Sequence, residues 1–194
     1  FFPNVRGSLG AGVEYANANT GDLGGIDYVD VISGVDALVA DGLADPDRLG
    51  VGGYSYGGYL SSWTITQTRR FKAAVSGGIL ADLFSFYGTT DIPHYLKVNL
   101  GEPPFPKQSL TRERSPIHHA AKVTTPVLFY AGGNDRRTPP GQVNQMHRAV
   151  EDAGAKTLKV IYPGEGHGFV NRTHKLDLMQ RMLAWYERYL GQGS

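Results

Sequence analysis

The stretch Gly52-Gly53-Tyr54-Ser55-Tyr56-Gly57-Gly58-Tyr59 constrains this chain more than any other. Before it, Leu49-Gly50-Val51-Gly52 reads as a short buried strand; after it, Gly57 to about Thr68 reads as a helix. A Gly-x-Ser-x-Gly set between a strand and a helix demands a sharp reversal that holds the serine in a strained backbone conformation. Small residues at Gly53, Gly57 and Gly58 let the neighbouring backbone pass. The start of the helix places N–H groups beside the serine, where they can receive an oxyanion.

The rest of the chain repeats the same alternation. Ala73–Ser76, Pro126–Ala131 and Leu158–Tyr162 read as further strands. Helical patterns run over 24–41, Pro140–Ala153 and Leu176–Leu190, the last with Leu176, Met179, Leu183, Tyr186 and Leu190 on one apolar face. Strands alternating with helices predict an α/β fold, a mostly parallel sheet with helices on both faces. Residues 1–194 are expected to form a single domain. The segment around 80–122, rich in prolines and aromatics, breaks the rhythm and reads as an irregular, cap-like insertion over one end of the sheet.

A serine hydroxyl attacks only when a positioned base takes its proton. The base and its orienting carboxylate should follow in the order Ser, Asp, His, each beyond the C-terminal end of a later strand. Asp135 follows the third strand through Gly132-Gly133-Asn134, and His167 follows the fourth through Pro163-Gly164-Glu165-Gly166. His167 also lies between two glycines, an arrangement that predicts a close backbone approach there. His118 and His119 precede a predicted helix, and His94, His147 and His174 read as exposed positions. No metal signature or dinucleotide fingerprint is present, so no cofactor and no metal are expected. Asn171-Arg172-Thr173 fits the short glycosylation pattern.

Composition narrows the partners. A net charge of +1 gives no footing for nucleic acid, and the absence of cysteine excludes disulfides and thiol catalysis. No apolar run is long enough to span a bilayer, and no signal pattern opens the chain. The compartment stays open, with the cytoplasm as the default.

Taken together, these residues resemble the catalytic domain of the prolyl oligopeptidase family of serine peptidases, which are α/β-hydrolases. The resemblance is carried by PNVRGSLGAG and the run from GDLGGIDY to GGYSYGGYLSSW, by SPIHHAAKVTTPVLFYAGGNDRRTPPGQ, and by YPGEGHGF, and it covers nearly the whole chain. SFYGTTDIPHYL is similar to the acylaminoacyl-peptidase-like branch. The resemblance implies Ser55 as nucleophile, His167 as general base, Asp135 as its orienting residue and the Tyr56 backbone N–H as an oxyanion donor. It implies a short peptide or small ester as substrate, with a carboxylesterase or a catalytically impaired binding or assembly fragment as alternatives. Two positions depart from the family: Ala131 replaces a usual histidine and Thr138 a usual valine, and both are expected to lie clear of the triad. The first strands, a second oxyanion segment and the family's β-propeller are expected to be missing. An unpaired sheet edge would then remain, and a homo-oligomer through that edge is expected.

Overall fold

The computed structural model describes residues 1–100 and 109–191. Four apolar runs form strands: β1 (Gly50–Tyr54), β2 (Ala73–Gly77), β3 (Val127–Gly132) and β4 (Thr157–Tyr162). They lie in the order β1-β2-β3-β4, and every neighbouring pair is parallel. Parallel neighbours require crossovers, and helices make them. After α1 (Val13–Asn17) and α2 (Ile26–Ala40), α3 (Tyr56–Gln67) joins β1 to β2, and α7 (Pro140–Asp152) joins β3 to β4. β1 reaches Tyr54 and α3 starts at Tyr56, so the turn is tighter than the sequence suggested and Ser55 alone makes it.

Alternation along the strands divides the core in two. Ala74, Val127, Phe129 and Ala131 face Ile65 of α3 and Val143, Met146 and Val150 of α7. Ala73, Val75, Leu128 and Tyr130 face the opposite layer, where α8 (Arg172–Leu190) contributes Trp185. β2 and β3 are buried along their whole length, which explains why they read as continuous apolar runs. Each large side chain here contributes about 1.5–3 kcal/mol of hydrophobic stabilisation. Val35 of α2 packs on Leu49 and Phe71 at the β1 side of the sheet.

Two readings are corrected. The 80–122 segment is not irregular where it is described: it holds α4 (Leu83–Thr89), α5 (Pro93–Leu100), α6 (Ser109–Glu113) and a 3₁₀ helix (Pro116–Lys122). Pro93 and Pro116 open helices instead of breaking them, and Asp82 caps α4 by accepting from the Phe84 and Ser85 N–H groups. Residues 101–108 of the segment lie outside the described residues. Leu83 and Phe86 of α4 and Leu96 and Leu100 of α5 close over Tyr59 of α3, near Ser55.

The second correction concerns α8. Tyr186 and Leu190 do pack on the sheet, but Leu176, Met179 and Leu183 are 54%, 66% and 61% exposed. The buried face runs instead through Leu178, Met182, Trp185 and Tyr189. The helix carries two apolar stripes, and the sheet selects the one with the larger aromatic surface. Among the described residues no helix is long and apolar enough to cross a membrane.

Candidate active site

The turn after β1 shows how the glycines work. Ser55 has φ 60° and ψ −119°, the one positive φ among the described non-glycine residues. Such a conformation costs about 1–3 kcal/mol and persists only where its surroundings impose it. A Cβ on Gly53 would lie 2.4 Å from the Gly57 backbone, and one on Gly58 would lie 2.2 Å from the Gly77 carbonyl oxygen. The strand and helix therefore approach more closely than any side chain allows. Two serines fasten α3 to β2: Ser76 donates to the Gly58 carbonyl at 2.7 Å and meets the Ser62 hydroxyl at 2.8 Å. As the first residue of α3, Tyr56 has no intrahelical acceptor for its N–H.

The loops after β3 and β4 bring two further side chains to this point. His167 Nε2 lies 3.0 Å from Ser55 Oγ, and His167 Nδ1 lies 2.9 Å from Asp135 Oδ2. A carboxylate can only accept, so Nδ1 carries the proton and Nε2 is left to accept from the serine hydroxyl. Asp135 is 3% exposed. Its Oδ1 accepts from the Arg137 and Thr138 N–H groups, both at 2.9 Å. Ser55, Asp135 and His167 thus meet in a single hydrogen-bonded series.

Several side-chain contacts that sequence reasoning passed over surround this series. Tyr54, immediately before the serine, donates its hydroxyl to the His167 carbonyl at 2.6 Å, with its ring centroid 5.0 Å from the imidazole. Burial, then Asp135, raises its phenol above the ordinary range. Tyr56 donates to the fully buried Asp27 of α2, and burial, then that carboxylate, raises its phenol as well. Glu165, 1% exposed, accepts from the N–H groups of Val170 and Asn171 and from His174 Nδ1. Its main-chain carbonyl accepts from Asn134 N–H at 2.8 Å, so the residue ties the Asp135 loop to the His167 loop. A buried acid two positions before the histidine, within Gly-Glu-Gly-His, was the available signal.

Four expectations change. Gly166 and Gly168 have open space around them; the close approach is at Gly132, whose added Cβ would lie 2.4 Å from the Glu165 and Gly166 carbonyls. His174 is held by Glu165 instead of standing free, and His118 and His119 lie within the 3₁₀ helix. Asn171 uses its side chain to cap α8, accepting from Thr173 N–H at 2.8 Å. Thr138 does touch the triad: its hydroxyl lies 2.9 Å from Asp135 Oδ2 and 3.2 Å from His167 Nδ1.

Beside Ser55 is a small cavity of about 80 Å³, lined by Tyr56, Leu80, Phe86, Ile92, Tyr95, Arg137 and Thr138. Arg137, one of the lining residues, donates to Asp91 at 2.6 Å, and that bond holds the Asp91 carboxyl below its ordinary range. A larger groove of about 310 Å³ borders β1 and is lined by Phe1, Val35 and Leu60, but not by Ser55. The chemistry thus sits at the smaller space. Among the described residues no group of three or more His, Asp or Glu side chains could hold a metal ion.

A model of the prolyl oligopeptidase family matches residues 1–193. The chain is 38% identical over 192 residues to the uncharacterized peptidase YuxL of Bacillus subtilis, covering 96% of this chain and 29% of that protein. A puromycin-hydrolyzing peptidase of Mycobacterium tuberculosis superposes with a TM-score of 0.93 at 35% identity, covering 98% of this chain and 29% of that one. An acylaminoacyl peptidase solved in complex with Z-Gly-Gly-Phe-chloromethyl ketone gives a TM-score of 0.93 at 28% identity, covering 98% of this chain and 32% of that one. The chain therefore spans about a third or less of the length of these relatives.

Proposed function

Since the chain belongs to the prolyl oligopeptidase family, we propose that it is the catalytic portion of a serine hydrolase acting on short peptides through an acyl-enzyme. One observation carries this reading: a serine at positive φ, at the start of a helix, lies 3.0 Å from a histidine whose other nitrogen lies 2.9 Å from a buried carboxylate. In the acylation step Ser55 Oγ bonds to the substrate carbonyl carbon while its proton passes to His167 Nε2. Asp135 holds the imidazole in the required tautomer and stabilises the imidazolium. The Tyr56 N–H receives the developing oxyanion. The tetrahedral centre then collapses: the bond to the leaving amine breaks, and the amine leaves with the proton from His167. Water repeats the sequence on the ester and returns free Ser55.

The substrate class follows from the cavity. Its lining of Leu80, Phe86, Ile92 and Tyr95 suits one apolar side chain next to the scissile carbonyl. The chloromethyl ketone complex of the acylaminoacyl peptidase, with phenylalanine at the reactive end, supports the same choice. Hydrolysis of peptide anilides with an apolar residue before the anilide tests the proposal, with a small activated ester in parallel. Ser55→Ala is expected to lower both rates by at least about 10⁴-fold. Wild-type turnover by that variant would sink the assignment, and turnover of the ester alone would favour a carboxylesterase.

A further inference from the structure

We propose that Thr138 is a positioning residue of the reaction, acting as the second anchor of the Asp135 carboxylate; the inference rests on the triad reading above. Asp135 Oδ1 is fixed by two main-chain N–H groups, each at 2.9 Å. A carboxylate held at one oxygen still swings at the other, and the other is the oxygen that serves the imidazole. Oδ2 accepts from His167 Nδ1 at 2.9 Å, and the Thr138 hydroxyl donates to the same atom at 2.9 Å. The hydroxyl sits between Asp135 Oδ2 and His167 Nδ1, 3.2 Å from the latter; Thr138 is 2% exposed, and its own N–H is one of the two groups on Oδ1. One residue therefore grips both oxygens, main chain on one and side chain on the other.

The arrangement also sets a competition. The Tyr54 hydroxyl lies 3.5 Å from Oδ2 but donates to the His167 carbonyl at 2.6 Å. While Thr138 occupies the free side of Oδ2, Tyr54 stays on the main chain of His167, where it fixes the imidazole from behind. Without the threonine hydroxyl, Oδ2 keeps only the imidazole at 2.9 Å, and the Tyr54 hydroxyl, already 3.5 Å away, can turn to it from the His167 carbonyl. Both changes loosen the alignment of Asp135 with His167, and through it the aim of Nε2 at Ser55. Thr138 touches no substrate atom in this role; it works through Asp135.

The substitution series Thr138→Val and Thr138→Ser separates the hydroxyl from the shape of the side chain. Valine keeps the volume and removes the donor; serine keeps the donor and removes the methyl. With a peptide anilide, Thr138→Val is expected to lower kcat by about tenfold, the effect of one hydrogen bond lost from the reacting assembly, with KM within about twofold. Thr138→Ser is expected to restore kcat. The low-field proton resonance of His167 Nδ1–H supplies a readout that packing alone would not move. It is expected to shift upfield and broaden in the valine variant and to return in the serine variant.

Three results would overturn the proposal. Wild-type kcat and an unmoved resonance in Thr138→Val would show that the hydroxyl only fills space. A loss in Thr138→Val that serine fails to restore would assign the effect to the methyl group. Reaction of the wild-type chain with a fluorophosphonate separates the two levels of the reading. Absence of labelling at Ser55 removes the triad and this inference with it. Normal labelling beside a silent Thr138→Val removes the inference alone.

Discussion

Glu165 holds His167 in place from both sides without touching its ring. Its carboxylate accepts from Val170 and Asn171 beyond the histidine, and its carbonyl accepts from Asn134 in the loop that carries Asp135. The Val170 N–H, then His174 and the Asn171 N–H, hold its carboxyl below the ordinary carboxylate range. The sign of the linkage follows. A carboxyl whose folded-state pKa is depressed adds stability above its unfolded value, and that stability disappears as pH falls through the folded value. Thermal unfolding of wild type and Glu165→Gln across about pH 7 to pH 3 should therefore show the largest gap near neutrality, narrowing in acid. A gap of constant size would assign the loss to the amide's geometry and not to its charge. Tyr54 and Thr138 work at the same scale, one on the His167 main chain and one on Asp135. None of the three stands out by composition, because the roles of Tyr54 and Glu165 depend on which loop ends meet and that of Thr138 on how its own loop turns back on Asp135.

At the scale of elements, the contact between β1, β2 and α3 sets where Ser55 stands. The strand-to-helix turn has no room for a Cβ at Gly53 or Gly58. Gly58→Ala would press a methyl group on the Gly77 carbonyl oxygen, 2.2 Å away, and would disturb the Ser76 bond to the Gly58 carbonyl. We expect a loss of about 1–3 kcal/mol in urea unfolding, the ordinary cost of overpacking, together with reduced turnover as α3 moves off β2. Wild-type stability and activity in this variant would mean that the turn tolerates a wider gap than its geometry implies. The same scale shows where periodicity misleads. On α8 the stripe through Leu176, Met179 and Leu183 has helical spacing as regular as the buried one, yet it faces outward. Spacing alone marks an apolar face; only the partner surface, here β2 and β3 with Leu128 and Tyr130, decides which face is covered.

For the molecule as a whole, the features legible in sequence were those fixed by local chemistry. The four strands and their parallel pairing follow from apolar runs alternating with helical patterns, and Asp135 and His167 were found in the loops that leave the third and fourth runs. The helices between 80 and 122 were not legible, because Pro93 and Pro116 stand at helix starts and look like breaks, and the Asp82 cap of α4 shows only in the fold. The support around the triad was equally hidden. Glu165 acts across a contact between separate loops, a relation that no spacing along one chain encodes, and the Thr138 hydroxyl joins Asp135, three residues before it, to His167 of the other loop. The cavity beside Ser55 likewise combines residues from β1's exit, α4, α5 and the Asp135 loop. The reading of the whole chain as a hydrolase nonetheless converges on one atom, Ser55 Oγ. Its reaction with a fluorophosphonate, followed by mass mapping of the modified peptide, measures that convergence directly. Stoichiometric modification at Ser55, lost on His167→Ala, is the predicted result. A chain that remains unmodified, or one modified at a different serine, would contradict it.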